Sequence, residues 1–127
     1  MSQFDDTGFR TFEASGAIPK HARVKLEAAG TIAVAGLAEK DIGTALQEAF
    51  AAGDRVGVKL TSAPGTHKMI AAEALARGAR VYTEAGGKVQ DTAQATSFQW
   101  GTSLEEATAD NDIIEVLPNM HGDTAAP

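Results

Sequence analysis

The stretch ARVKLEAAGTI at residues 22–32 returns, 57 positions later, as ARVYTEAGGKV at residues 79–89. Six of the eleven aligned positions are identical. A catalytic site is normally assembled once in a chain, whereas a structural unit can be used twice. The repeated stretch therefore indicates that this chain is built from two copies of one folding unit.

The similarity between the two copies extends beyond this stretch. GTALQEAFAAGDRVGV at 43–58 aligns with GTSLEEATADNDIIEV at 101–116, and eight of the sixteen positions match. Alanine-rich sequence can produce such matches by chance, but these matches also include Gly, Thr, Leu, Glu and Asp in the same order. We predict two similar units, residues 14–60 and 71–117, within a single domain at 14–117.

Alternating apolar and polar side chains predict β-strands in both units. In RVKLE, Val24 and Leu26 share one face, and Arg23 lies on the opposite, polar face. RVGVKL at 55–60 alternates in the same way, and DIIEVL at 112–117 is its counterpart. A period of two residues is typical of strands that bury one face.

Glycines predict where these strands turn. Gly30 in the first unit, and Gly86 and Gly87 in the second, indicate a β-hairpin in each copy, because glycine accepts the positive φ of tight turns. We therefore predict a mainly β fold, a small β-barrel or β-sandwich made of two hairpin-rich units. The segments 41–52 and 69–78 fit a strand or a helical face, and their pattern leaves that choice open.

The composition indicates a small globular protein without thiol chemistry. The chain has 127 residues, no Cys and a formal net charge of −6. Absent thiols exclude disulfides and thiolate metal sites, and the negative charge disfavours contact with nucleic-acid backbones. The N-terminus lacks the basic and apolar regions of a signal peptide, and no apolar run reaches membrane-spanning length. We expect synthesis in a cytoplasm, with no nucleic-acid and no membrane partner.

The two ends of the chain differ from the repeated units. Three of the five phenylalanines, Phe4, Phe9 and Phe12, lie within residues 1–13. We expect these residues to form an extended N-terminal arm that becomes ordered on a partner and buries its aromatic side chains there. The three phenylalanines are thus the predicted partner-binding residues, with coverage of the domain's own core as the alternative. Residues 118–127 are predicted to be a solvated tail.

No pattern of ionisable residues predicts catalysis or metal binding. The three histidines, His21, His67 and His121, are widely separated and form no metal-ligand spacing. The acidic run DNDIIE at 110–115 lacks the glycine and the length of a calcium loop. No phosphate loop, dinucleotide motif or nucleophile elbow is present. We predict that the protein is not an enzyme and holds no cofactor or metal.

One dipeptide offers an alternative function. Lys68-Met69 resembles the lysine–methionine pair at which biotin is attached in carrier domains, which are also small, β-rich and internally duplicated. The methionine expected before the lysine is His67 here, and Lys68 lies in the predicted connector at 61–68. A biotinyl- or lipoyl-like carrier modified at Lys68 is therefore kept as an alternative.

The order of the repeated motifs resembles the capsid cement, or head decoration, proteins of tailed bacteriophages. ARV and a glycine turn are followed by GTxLxEA and then by a turn that precedes an apolar alternating strand. The resembling residues are 22–32, 43–49 and 53–60 in the first copy, and 79–89, 101–107 and 112–117 in the second.

This resemblance implies a non-catalytic, β-rich protein of the virion. Such a protein binds the outer surface of an icosahedral phage head and stabilises it by bridging subunits of the major capsid protein. It also implies that IGTALQEA at 42–49 is a strand. A homodimer or homotrimer would fit the two-fold or three-fold sites of the shell. Another virion part, such as a fibre or tail module, is the remaining alternative.

Overall fold

The computed structural model describes residues 7–118, and β-strands dominate these residues. The first five strands are β1 Phe9–Glu13, β2 Arg23–Leu26, β3 Ile32–Val34, β4 Gly43–Ala45 and β5 Arg55–Leu60. The second five are β6 His67–Ile70, β7 Arg80–Glu84, β8 Lys88–Gln90, β9 Gln99–Ser103 and β10 Ile113–Pro118. The prediction of a mainly β fold is confirmed.

The strands form two five-stranded sheets with the same topology. The order is β1-β5-β4-β2-β3 in the first sheet and β6-β10-β9-β7-β8 in the second. The two strand orders are the same when five is added to each strand number of the first sheet. All of the paired strands are antiparallel. The duplicated sequence therefore folds into two units of one topology, here called unit 1 and unit 2.

The sheets are not closed into barrels, which agrees with the sandwich form of the prediction. Among the described residues, the outer strands of each sheet meet through isolated bridges, Ala14–Ile32 in unit 1 and Ala71–Val89 in unit 2. The buried apolar side chains divide into two clusters, one for each unit. Ile70 of unit 2 is the exception, since it joins the cluster of unit 1.

Both predicted hairpins are present. Strands β2 and β3 pair with Leu26 opposite Ile32, around a turn in which Gly30 has a φ of 88°. Strands β7 and β8 pair around a short 3₁₀ turn at Ala85–Gly87, where Gly86 has a φ of 75°. A side chain at these positive φ angles is strained, so glycine determines where each hairpin turns.

The structure has strands where an arm and a connector were predicted. Phe9–Glu13, the second part of the predicted arm, is strand β1 and pairs antiparallel with β5. His67–Ile70, which overlaps the predicted connector, is strand β6 and pairs with β10. Each is an outer strand of its sheet, so each unit begins earlier in the chain than the pattern predicted.

The two ambiguous segments are extended and not helical. The segment 41–52 contains strand β4, and 69–78 continues from β6 through turns and an isolated bridge at Leu75. In the segment 41–52, the pairing and burial of β4 in the sheet override the helical pattern of the side chains.

Candidate protein-binding site

The described part of the chain offers no cluster of metal-ligating side chains. Across residues 7–118, no cluster of three or more histidine and carboxylate side chains is arranged to hold a metal ion. In the acidic run at 110–115, the carboxylate of Asp112 accepts hydrogen bonds from the backbone N–H groups of Thr108 and Ala109 at 2.8 and 3.2 Å. These bonds, Thr108 first, lower the pKa of Asp112, so this carboxylate stabilises its own turn. No helix within residues 7–118 is long and apolar enough to cross a membrane.

The two units are joined by a buried arginine. Arg23 of unit 1 is fully buried and donates from Nη2 to the carbonyl of Glu84 at 2.7 Å and from Nε to the carbonyl of Lys88 at 3.1 Å, both in unit 2. Its Nη1 donates to Asp41 at 3.0 Å, and Asp41 also accepts from the indole Nε1 of Trp100 at 3.1 Å. Burial lowers the pKa of Arg23, and Asp41 raises it. An arginine stays protonated in either case. The Asp41 carboxylate compensates its positive charge inside the junction.

The burial of Arg23 corrects its predicted position on the polar face of β2. That face points away from the core of unit 1 but is covered by the β7–β8 hairpin of unit 2. Gly87 of this hairpin comes so close that a Cβ atom there would lie 3.0 Å from the side chains of Ala22 and Val34. Leu26 shares the face of Val24 but lies at the end of its strand, where it is 52% exposed and not turned inward as predicted.

A buried histidine forms a second link between the units. His67 at the start of β6 is 1% exposed, and its Nδ1 lies 3.1 Å from Thr44 Oγ1 of unit 1. Its ring meets Trp100 edge-on at a centroid distance of 5.0 Å. Burial, followed by the charge of Lys59, lowers the pKa of His67 to about 4. This histidine, in the segment predicted to be a connector, is a neutral part of the junction at neutral pH.

A cleft of about 440 Å³ runs along the junction beside these contacts. Unit 1 lines it with His21, Thr44, Leu46 and Lys59. Unit 2 lines it with Thr66, Lys68, Glu105 and Glu115. The wall of unit 2 is internally bonded, because Thr66 donates to the Glu115 carboxylate at 2.6 Å and the Glu115 backbone N–H donates to Glu105 at 2.9 Å.

The predicted phenylalanines have different environments. Phe12 is half-buried and packs against the core of unit 1, with the guanidinium of Arg10 5.0 Å from its ring centroid. Phe9 is 47% exposed on the outer strand β1, with the ammonium of Lys59 5.9 Å from its ring. Phe4 lies outside the described residues. Of the two described residues, Phe9 therefore has a surface that a partner could cover.

Phe9 lies at the edge of a shallow depression of about 400 Å³ on unit 1. The depression is formed by β1, β5 and the segment that follows β4, and its lining residues are Phe9, Arg10, Thr11, Leu46, Gln47, Gly57 and Val58. Leu46 is also 37% exposed. An apolar concavity with polar groups at its rim can receive a side chain of another protein.

The sequence patterns missed a more exposed aromatic residue, Phe50. It is 77% exposed on the loop before β5. The Asp54 carboxylate holds this loop by accepting from the backbone N–H groups of Phe50 at 2.8 Å and Ala51 at 3.2 Å. Asp112 caps the corresponding loop of unit 2, where Thr108 stands in place of the phenylalanine. The alignment of the two copies could have revealed this residue, because Phe50 aligns with Thr108 in two loops that otherwise match.

Lys68 does not lie at a turn. It is exposed within β6 and stands opposite Glu115 of β10 in the antiparallel register. The carrier alternative was considered for a lysine in a connector, whereas the structure places Lys68 on a paired strand.

The fold places the protein among those built from two five-stranded antiparallel β units of one topology. The crystal structure of the head fiber gp8.5 N base of bacteriophage phi29 is similar, with a TM-score of 0.71 over 87% of this chain and 92% of that chain. The two sequences are 16% identical, so the similarity is one of fold. Neither a protein-family model nor a curated protein sequence matches the chain.

Proposed function

We propose that this chain is a structural module of a phage head, attached to the head surface by protein–protein contacts. The observation that carries this proposal is the fold shared with the phi29 head fiber base over nearly the whole of both chains. The repeated motifs resemble head decoration proteins, which independently supports a place in the virion.

The role we propose in detail is that of a cement protein on the outer capsid surface, bridging neighbouring subunits of the major capsid protein. Two units linked through buried bonds make a block with one fixed shape. Several weak contacts from such a block act together, because the first contact holds the others at a high effective concentration. The avidity of the whole block can then exceed the affinity of a single contact by roughly 10²–10⁴-fold. Bridging neighbouring subunits in this way opposes their separation.

Phe50 is the described side chain best suited to contact the capsid. Its loop is already held by Asp54, so binding costs little further ordering of the backbone. Burying one phenylalanine contributes about 1.5–3 kcal/mol, which corresponds to at least about tenfold in affinity. Phe4, in the undescribed part of the arm, stays a predicted contact of the same kind.

Co-sedimentation with undecorated heads tests the proposal. The wild-type chain is expected to pellet with the heads, and Phe50→Ser is expected to need at least about tenfold more protein for half-saturation. Thr108→Ser changes the corresponding loop of unit 2 and is expected to bind like the wild type. A wild-type chain that stays in the supernatant at every concentration would refute attachment to the head.

The base of a head fibre is the second candidate, because the structurally similar phi29 structure is the N base of a head fiber. A cement protein bridges subunits, whereas a fibre base needs only to be anchored. Saturating heads with the chain and heating them separates the two roles. A higher temperature of head rupture supports cementing, and binding without a change in rupture temperature supports a fibre base.

A further inference from the structure

The junction between the two units uses a different face of each unit. Unit 1 contributes the face that carries Arg23, and unit 2 contributes the face that carries Thr66 and the β7–β8 hairpin. Because the units share one topology, each of them possesses both faces. One copy of each face therefore remains uncovered in a single chain.

The uncovered face of unit 1 is the depression at Phe9. By strand register, the unit 2 wall of the junction cleft, Thr66, Lys68, Glu105 and Glu115, corresponds to Phe9, Thr11, Gln47 and Gly57. All four of these unit 1 residues line the depression. The Gly57 backbone N–H donates to Gln47 at 3.0 Å, as Glu115 donates to Glu105 at 2.9 Å, so the two walls share their internal bonding.

The hairpin beside this depression is also uncovered. Gly30 corresponds to Gly87, yet an added Cβ atom at Gly30 would meet nothing within 4 Å. Leu26 corresponds to Thr83 and is 52% exposed, whereas Thr83 is buried and donates to the Leu37 carbonyl at 2.6 Å. We call the depression and the Gly30 hairpin together the Phe9 face.

The uncovered face of unit 2 carries the counterparts of the other wall. His21, Thr44, Leu46 and Lys59 correspond to Gly78, Thr102, Leu104 and Leu117. Leu104 is 38% and Leu117 is 47% exposed, so this face is more apolar than the wall it matches. Arg80 corresponds to Arg23 and is exposed. We call these residues the Arg80 face.

We propose that a second copy of this chain docks its Arg80 face on the Phe9 face and so repeats the internal junction between molecules. Arg80 takes the place of Arg23 and donates to the carbonyls of Glu27 and Thr31, which correspond to those of Glu84 and Lys88. Leu104 and Leu117 cover the ring of Phe9. The contact joins two different surfaces, so it is heterologous, and copies add head to tail.

Two differences make this contact weaker than the internal junction. At the position that corresponds to Asp41 the second copy has Gln99, so Arg80 has no carboxylate partner of this kind. At the position that corresponds to Trp100 the first unit has Ile42, so the indole hydrogen bond is lost. The association is therefore expected to be reversible and to depend on concentration.

Analytical ultracentrifugation of the purified full chain tests the proposal. The mass of the wild type is expected to rise above the 13.1 kDa of one chain as the concentration increases. Phe9→Asp and Arg80→Glu are each expected to remain at the mass of one chain, because each removes one of the two faces. Lys20→Glu makes the same charge change as Arg80→Glu at an exposed site of unit 1 outside both faces, and it is expected to associate like the wild type.

Mixing the two deficient variants gives the decisive result. Phe9→Asp keeps its Arg80 face and Arg80→Glu keeps its Phe9 face, so an equimolar mixture is expected to form a complex of twice the chain mass and no larger. This recovery also shows that both variants are folded. A wild type that remains monomeric up to millimolar concentration, or folded variants that do not recombine, would overturn the proposal. The heads take no part in this measurement, so its failure is independent of head binding.

Discussion

At the scale of single residues, the two copies show how one residue type acquires two environments. Arg23 and Arg80 occupy the same position in the two repeated stretches, yet Arg23 is fully buried and Arg80 is exposed. The period-2 pattern placed Arg23 on a polar face, and it could not reveal that another unit covers that face. Burial between units depends on contacts more than 60 residues apart in sequence, which a local pattern does not contain.

Arg23→Met is expected to destabilise the fold by roughly 3–5 kcal/mol, because it leaves the Asp41 carboxylate without its cation in a buried junction. Arg80→Met is the matched control, and an exposed site is expected to change stability by no more than about 0.5 kcal/mol. Urea unfolding of both variants in dilute solution measures the difference. Equal effects of the two substitutions would show that the Arg23 contacts contribute no more than those of a surface arginine.

His67 is expected to make stability depend on pH. In the unfolded chain the imidazole binds a proton near its ordinary pKa of 6.5, but in the folded chain only near about 4. Between these values the unfolded state holds more protons, so the free energy of unfolding falls as the pH is lowered from 6.5 towards 4. The fall amounts to at most about 3 kcal/mol.

Urea unfolding of the wild type and His67→Gln at neutral pH and near pH 4 measures this contribution. The variant is expected to lose most of the pH dependence in this window. Burial also lowers the pKa of His21, so His21→Gln provides the comparison and is expected to retain the larger part of the dependence. An unchanged slope in His67→Gln would contradict a neutral, buried His67.

At the scale of elements, the hairpins could be predicted, but the first strand of each unit could not. The β2–β3 and β7–β8 hairpins are local, and their glycines and alternating residues lie within a few positions of each other. Strand β1 is held by β5, more than 40 residues further along the chain, so nothing near Phe9–Glu13 indicates its pairing. The candidate surfaces were missed for the same reason, because they become visible only when the two copies are compared strand by strand.

In strand β1, the side chain of Phe12 packs against the core of unit 1, whereas the ring of Phe9 is half exposed. Phe12→Ala is expected to cost about 1.5–3 kcal/mol, which is less than a fully buried phenylalanine contributes, because Phe12 is half-buried against the core. Phe9→Ala is expected to cost less than about 1 kcal/mol, since its ring is half exposed. Thermal unfolding of both variants provides the comparison. A larger loss at Phe9 would mean that its ring supports the fold and is not available to a partner.

At the scale of the whole molecule, two apolar clusters are joined by a polar junction. Each unit has its own core, and the links between the units include Arg23, the His67 contacts, the Thr83–Leu37 hydrogen bond and Ile70, which places an apolar side chain of unit 2 in the core of unit 1. Separation of the units would expose the Arg23–Asp41 pair and Ile70 together. The free-energy cost of exposing these groups affects both units, so the junction couples the stabilities of the two units.

The wild-type chain is therefore expected to unfold in one transition. Trp100, the single tryptophan, lies in unit 2 and bonds across the junction to Asp41, so its fluorescence reports on unit 2 and the junction. Far-ultraviolet circular dichroism reports on the strands of both units. In urea the two signals are expected to change at the same midpoint, as for a two-state domain. Arg23→Met removes the main link, and here the fluorescence is expected to change at lower urea than the dichroism. Two separate midpoints in the wild type would show that the units are stable independently, and that the junction fixes their arrangement without supporting their folds.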